Sequence, residues 1–337
     1  MPFRIAVIGC GSISMGYHGP SYQKYAAEHR DTELAACCDL DYDRGQLFCE
    51  KFGFKKNYTD WKDMLDRENP DSVCLNVPPP LTPVLTTQIL RMGYPLLLEK
   101  PPGLTKTDVD EMIRVADETG TPNQVAFNRR YSPLIVYLKD ILAQRFTPEQ
   151  IQHISYDFFR IGRTDTDFST TAIHGIDAAR FIMNSDYAVV HFHYREFPQA
   201  GPSVANILMD CTFQTGTTAR LNFFPLSGAV IERAQVHAQD SIFFLKTPIW
   251  AGFDFPGSLL VVEKGVIVEQ VDGPQIAFGA EDFILNGFYQ EDLAFFEDIR
   301  NGRRPTGDIR SGRQPVIIAQ ALRERRARVV FDESVSV

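Results

Sequence analysis

The 337-residue chain contains no apolar run approaching the roughly eighteen residues that a membrane span requires. No signal-like pattern precedes its first strand-like segment, and the expected location is cytoplasmic. An excess of basic charge is also missing: 34 Lys+Arg face 43 Asp+Glu, for a net charge of −9. Phosphate backbones demand a basic field, so nucleic acid is not expected as a partner. The one dense basic cluster, residues 323–328, is interrupted by Glu324 and closes a helical pattern, so it reads as a solvated helix end. The six cysteines show neither CxxC nor Cys/His metal spacing. Cys37, Cys38, Cys74 and Cys211 fall in apolar strand-like runs, as reduced core residues do, and no metal site is expected. Repeats and low-complexity segments are absent.

What remains is a globular composition, 44% hydrophobic and 23% charged, with enough length for two domains. Over the first part of the chain, strand and helix patterns alternate. Candidate strands are Phe3–Ile8, Glu33–Cys38, Ser72–Val77, Pro95–Leu98 and Asn123–Phe127, with a weaker one at Lys55–Tyr58. Helical patterns fill the intervals: Tyr17–His29, Asp43–Phe52, Trp61–Asp66, Thr82–Met92 and Lys106–Glu118. Repeated β-α units predict a doubly wound parallel sheet, because parallel neighbours need helical crossovers. Beyond about residue 150 the pattern changes to hairpin-separated strands: Ile151–Phe159, Ala188–Tyr194, Ala205–Phe213, Thr217–Phe224, Val230–Ala238, Ser241–Leu245, Ser258–Val262 and Val266–Val271. Helices are expected at Thr171–Met183, Phe288–Arg300 and Ser311–Arg328. The expectation is an α/β protein: a dinucleotide-type domain over 1–125, then an α+β domain over 126–337 with a large open, mostly antiparallel sheet.

Two segments carry chemistry. Gly9-Cys10-Gly11-Ser12-Ile13-Ser14 follows the first strand and opens a helix, the setting in which a glycine turn holds a dinucleotide pyrophosphate. Gly9 allows the tight turn, Gly11 lets backbone approach phosphate, and Ser14 replaces the third glycine of the fingerprint. Asp39 ends the second strand, where a carboxylate accepts hydrogen bonds from ribose hydroxyls and repels a 2′-phosphate. NAD is therefore expected over NADP, with Arg44 close enough to contest it. The second segment, Glu99-Lys100-Pro101-Pro102-Gly103, sets a lysine at a strand end, held extended by the following proline. There it polarises a hydroxyl or carbonyl, or exchanges a proton. His174 lies on a helical pattern, with Asp177 three residues on, able to orient the imidazole or pack locally. Asn128-Arg129-Arg130-Tyr131 forms another strand-end polar cluster.

In this order, these elements resemble the Gfo/Idh/MocA oxidoreductase family. The match comprises the GCG turn with Ile13 and His18, Cys38-Asp39, Glu99-Lys100-Pro101, Asn128–Tyr131, His174 with Asp177, and Tyr289–Gly302 with Phe296 and Pro305. The resemblance implies a Rossmann domain, reversible NAD(P)-dependent oxidation of a secondary alcohol on a sugar, inositol or sugar derivative, and a C-terminal sheet that forms a homodimer or homotetramer. It makes Lys100 the active-site lysine and His174 the proton-transferring histidine. Expected cofactor residues are Gly9, Gly11, Ser12, Ile13, Asp39, Val77, Pro78, Glu99, Lys100 and Asn128. Expected substrate residues are Arg130, Tyr131, Tyr156, Arg160, Thr170, His174 and Asp177. Three departures stand out. Thr170 occupies the place of an aspartate four residues before the histidine, Thr82 replaces a histidine after Pro78, and the lysine motif is extended to Pro101-Pro102-Gly103. Two rivals share the fold: an enzyme with tightly held NAD that oxidises a sugar transiently before elimination or glycoside cleavage, and a non-catalytic nucleotide sensor.

Overall fold

The computed structural model describes residues 1–277 and 279–331. The chain forms two compact units, Met1–Asn128 with Gly287–Val316, and Arg129–Asn286 with the chain from Ile317 onward. Residues Gly287–Val316 thus return to the first unit, whereas the sequence reading placed 126–337 together.

The first unit is built on six strands: β1 Phe3–Ile8, β2 Thr32–Cys38, β3 Lys56–Tyr58, β4 Ser72–Leu75, β5 Leu96–Glu99 and β6 Asn123–Ala126. Every pairing is parallel, in the order β3-β2-β1-β4-β5-β6. Helices α1 Gly19–Glu28, α2 Tyr42–Phe52, α3 Trp61–Glu68, α4 Thr82–Arg91 and α5 Lys106–Thr119 supply the crossovers. Their limits are written locally. Asp41, Asp60 and Thr105 cap the starts of α2, α3 and α5, and Gly53, Asn69 and Gly120 close them in the left-handed conformation. Ile5, Val7, Cys74 and Leu97 are fully buried, as strands covered on both faces require. The returning helix Phe288–Arg300 sets Phe296 against Phe3, Tyr22 and Tyr25, with ring centroids 6.1, 6.0 and 4.9 Å apart.

The second unit is a nine-stranded sheet in the order β14-β13-β12-β11-β7-β10-β9-β8-β15. Its strands are β7 Ile151–Phe159, β8 Tyr187–Glu196, β9 Ala205–Phe213, β10 Thr218–Phe224, β11 Ile231–Ala238, β12 Ser241–Lys246, β13 Ser258–Glu263, β14 Val266–Asp272 and β15 Arg328–Val330. Only β7 and β10 pair in parallel; the other neighbours are antiparallel. Alternation along β7 buries Ile154, Tyr156 and Phe158 and leaves Ser155, Asp157 and Phe159 half-buried on the other face. Helices α6 Pro133–Arg145 and α7 Ser169–Met183 belong to this unit. α7 lies close on the sheet: a Cβ on Gly175 would stand 3.0 Å from Phe223 and 3.1 Å from Phe158. Removing Phe223, which is fully buried, would cost about 3–5 kcal/mol.

Candidate functional site

At the carboxyl edge of the first sheet, β1 runs into the glycine turn. Gly9 has φ +97°, and a Cβ there would lie 2.1 Å from the Asn76 carbonyl oxygen, so only glycine fits. Above Gly11, nothing lies within 4 Å of where a Cβ would sit, which leaves the open backbone approach a pyrophosphate uses. The chain is helical over residues 12–28, with a π turn at Ser14–His18. Ser14 is buried; its hydroxyl donates to the Gly9 carbonyl at 2.7 Å and accepts from Asn76 Nδ2 at 3.0 Å. The serine in the third-glycine position therefore braces the turn against the end of β4. Ser12 is exposed and Ile13 half-buried beside it. These residues fit a dinucleotide.

Asp39 follows β2 and is buried. Its Oδ2 accepts the Cys10 N–H at 2.9 Å and Arg44 Nε at 3.0 Å; its Oδ1 accepts the Asp41 N–H at 2.9 Å and Arg44 Nη2 at 2.6 Å. Burial pushes the carboxyl pKa up, but the Arg44 guanidinium and the two backbone N–H groups outweigh it and hold it below the usual range. Asp39 therefore fixes the glycine turn, and Arg44 shares it.

Lys100 is half-buried where β5 ends, before the cis-Pro101 bond. Val77 and Pro78 flank the end of β4, and Thr82 is buried at the start of α4. Glu99, expected at the cofactor, turns its carboxylate to His18: Nε2 stands 3.0 Å from Glu99 Oε1. His18 Nδ1 stands 3.1 and 3.2 Å from the two oxygens of Asp292. Burial alone would lower the His18 pKa, but Asp292 and Glu99 outweigh it and raise it well above 6.5. Among the described residues, His18, Glu291 and Asp292 are the one group whose ligand atoms all lie within 4.8 Å of one another, as a metal ion would need. Both His18 nitrogens already face carboxylates, so the group reads as an ion-paired cluster.

The second unit carries the other candidates. His174, buried on α7, has its Nε2 3.5 Å from Arg129 Nη1. A guanidinium only donates, so this contact suits an imidazole whose Nε2 is unprotonated. Arg129 in turn donates to Glu232 through Nε at 3.2 Å and Nη2 at 2.7 Å. Arg160 donates to the same Glu232, and the Tyr156 hydroxyl donates to it at 3.2 Å. Glu232 is fully buried; desolvation pushes its pKa up, and Arg129 and Arg160 outweigh that and lower it. Tyr156 and Arg160, expected at the substrate, are instead buried and bonded to Glu232. Asp177 receives Arg130 bidentately at 2.8 and 2.6 Å. Asp167 accepts the Ser169 N–H at 3.0 Å and faces Arg323, while Thr170 and Tyr131 are half-buried. Glu232 escaped the sequence reading. An acidic residue alternating inward on a strand was its only signal.

No helix among the described residues is long and apolar enough to cross a membrane. The 3-2-1-4-5-6 parallel sheet, its glycine turn and the strand-end aspartate define a Rossmann-type dinucleotide-binding protein carrying a second, mostly antiparallel unit. Residues 3–127 match the model of the Gfo/Idh/MocA family, described as an oxidoreductase family with an NAD-binding Rossmann fold. It is 30% identical over 131 residues to a D-glucoside 3-dehydrogenase of Escherichia coli, covering 39% of this chain and 36% of that protein. It is 23% identical over 200 residues, 58% of each chain, to an inositol 2-dehydrogenase of Salmonella typhimurium. The chain thus spans about a third to three fifths of the length of these curated relatives. A levoglucosan dehydrogenase solved with NADH and L-sorbose shares the fold, with TM-score 0.83 and 15% identity over 98% of this chain and all of that one.

Proposed function

We propose that the chain is a cytoplasmic NAD-dependent dehydrogenase that reversibly oxidises a secondary hydroxyl of a sugar, inositol or related polyol. The observation that carries this reading is Lys100 at the carboxyl end of β5, on the sheet edge that also bears the glycine turn. Open α/β sheets place their chemistry along that edge. Gly9, Gly11, Ser12, Ile13, Asp39, Val77, Pro78 and Asn128 would hold the dinucleotide, which when bound supplies the two-electron acceptor. His174 accepts the hydroxyl proton, and Lys100 stabilises the developing alkoxide. Tyr156, Arg160 and Glu232 hold Arg129 in place, Asp177 holds Arg130, and Tyr131 and Thr170 contact substrate hydroxyls. The names of the glucoside and inositol relatives support the substrate class. Homo-oligomerisation through the half-exposed face of the nine-stranded sheet, which presents Phe159 and Phe244, completes the reading.

The test is a screen of methyl glucosides, inositols, uronic acids and aliphatic alcohols with NAD, following NADH absorbance and product together. Steady NADH formation on glucosides or inositols supports the proposal. Product without NADH would favour the transient-oxidation rival, dinucleotide binding with no turnover would favour a sensor, and turnover confined to aliphatic alcohols would overturn the substrate class.

A further inference from the structure

The buried chain Asp292–His18–Glu99 lies entirely within the first unit and is given no role by the proposed reaction. His18 is fully enclosed, stacked on Tyr22 with centroids 5.7 Å apart and met edge-on by Phe288 at 5.2 Å. Each ring nitrogen faces a carboxylate, at 3.0 Å for Nε2 and 3.1 Å for Nδ1. Ionised carboxylates only accept, and a neutral imidazole has one N–H to offer. One of the two contacts would then set lone pair against lone pair, out of reach of water. One further proton satisfies the geometry: burial pushes the Asp292 carboxyl up and His18 draws it part of the way back down, and with the proton on His18 both nitrogens donate.

The three groups come from three segments. His18 ends the π turn that follows the glycine turn, Asp292 lies on the helix Phe288–Arg300, and Glu99 is the last residue of β5. π turns inside helices recur at functional positions. The residue after Glu99 is Lys100, and Pro101 and Pro102 follow. Glu99 is also held in register with Ala126 of β6, so the lysine is fixed on one side by the clamped strand and on the other by the prolines.

We infer that His18, held as an imidazolium between Asp292 and Glu99, is a positioning residue for Lys100: it ties the lysine's strand end to the helix leaving the glycine turn and cancels the Glu99 charge one residue away. The inference rests on the reading of Lys100 as the group acting on the substrate oxygen. The charged and titratable groups facing His18 are Asp292 and Glu291 from the returning helix, Glu99 from β5 and Tyr22 from α1.

The test uses full-length protein carrying labelled histidine and lysine. In wild type, the ¹⁵N spectrum of His18 should show both nitrogens protonated at neutral pH. The ¹³Cε resonance of Lys100, assigned by its absence in K100R, is then titrated in wild type, H18Q, E99Q and H18Q/E99Q. H18Q leaves Glu99 uncompensated and should raise the Lys100 midpoint by on the order of one pH unit at an effective dielectric near 20. H18Q/E99Q should bring it back. NAD affinity by fluorescence should stay within a few fold, while kcat of H18Q on the substrate found in the screen falls about tenfold. A purely structural His18 would lower the melting temperature without moving the lysine midpoint. A neutral His18 tautomer in wild type, or an unmoved midpoint in H18Q, would overturn the inference. Should H18Q fail to fold, E99Q decides through a lowered Lys100 midpoint. The two readings separate cleanly, because full turnover in K100A would remove the catalytic reading while leaving the His18 titration as it stands.

Discussion

Cofactor choice can be decided at Asp39 and Arg44. Asp39 has about four lone-pair positions. Cys10 N–H and Asp41 N–H take one on each oxygen, and the Arg44 fork takes the other two. A ribose diol can bind Asp39 only where Arg44 yields, whereas a 2′-phosphate would bind Arg44 itself. Arg44→Ala opens two acceptor positions and should leave NAD affinity unchanged or improve it a few fold. The same variant removes the cation that would pair a 2′-phosphate. A charge-assisted hydrogen bond is worth about 1.5–3 kcal/mol, so NADP affinity should fall roughly 10- to 100-fold. That loss belongs near the lower end, because the Arg44 side chain is 47% exposed and solvent screens it. Asp39→Ala should do the reverse to the ratio, weakening NAD by about the same factor, with added loss from the turn that Cys10 N–H no longer anchors. Calorimetric titration of both dinucleotides against wild type and the two variants measures the ratio. If each variant shifts NAD and NADP in parallel, Asp39 and Arg44 shape the turn alone and the discrimination argument is wrong.

Three further outcomes are expected. Lys100→Ala should cut kcat roughly 100-fold or more, with NAD affinity held within a few fold, as measured by steady-state kinetics and fluorescence titration. Glu232→Ala strands the Arg129 and Arg160 guanidinium groups in the interior and should destabilise the protein by about 3–5 kcal/mol in urea unfolding, with Glu232→Gln costing less. The third concerns pH: since the His18 pKa is raised on folding, its contribution is complete below the ordinary histidine value of 6.5 and is lost as pH climbs through the raised folded value. The melting-temperature gap between wild type and H18Q should therefore narrow on the alkaline side, and a gap that widens there would contradict the assignment.

Local signals carried most of the architecture. Apolar runs bounded by glycine, asparagine or proline located β1, and β9 and the helix Phe288–Arg300 match their expected limits residue for residue. Helix α6, Pro133–Arg145, was not anticipated: its opening Leu-Ile-Val-Tyr-Leu reads as a buried strand, and its helical face is set by tertiary packing. The expected helix Ser311–Arg328 stops at Arg323, because Arg325 turns to φ +56° and Arg328–Val330 pairs with β8. The basic cluster is consequently split among ion pairs such as Arg325–Glu196. At the candidate site, Gly9, Asp39 and Lys100 were legible because strand-end chemistry depends on position in the chain. Glu232 and the partnership of His18 with Glu99 and Asp292 were not. Their partners lie 103 residues away for Arg129, and 81 and 274 residues away for His18, and no spacing rule reaches so far.

The return of Gly287–Val316 to the first unit has a bearing on how the chain is made. Strands β1 to β6 leave the ribosome well before Phe288, Asp292 and Phe296, the side chains that cover His18, Tyr22 and Tyr25. Until those residues emerge, the nascent nucleotide fold exposes an aromatic wall and a His18 that lacks its Asp292 partner, while the intervening 158-residue stretch Arg129–Asn286 is free to fold as an insert. A fragment ended after Asn128 should therefore be aggregation-prone, whereas one joining the two halves through a short linker in place of the insert should regain a closed core. Such an arrangement lets the inserted sheet change without opening the first unit, whose core is sealed by its own returning helix.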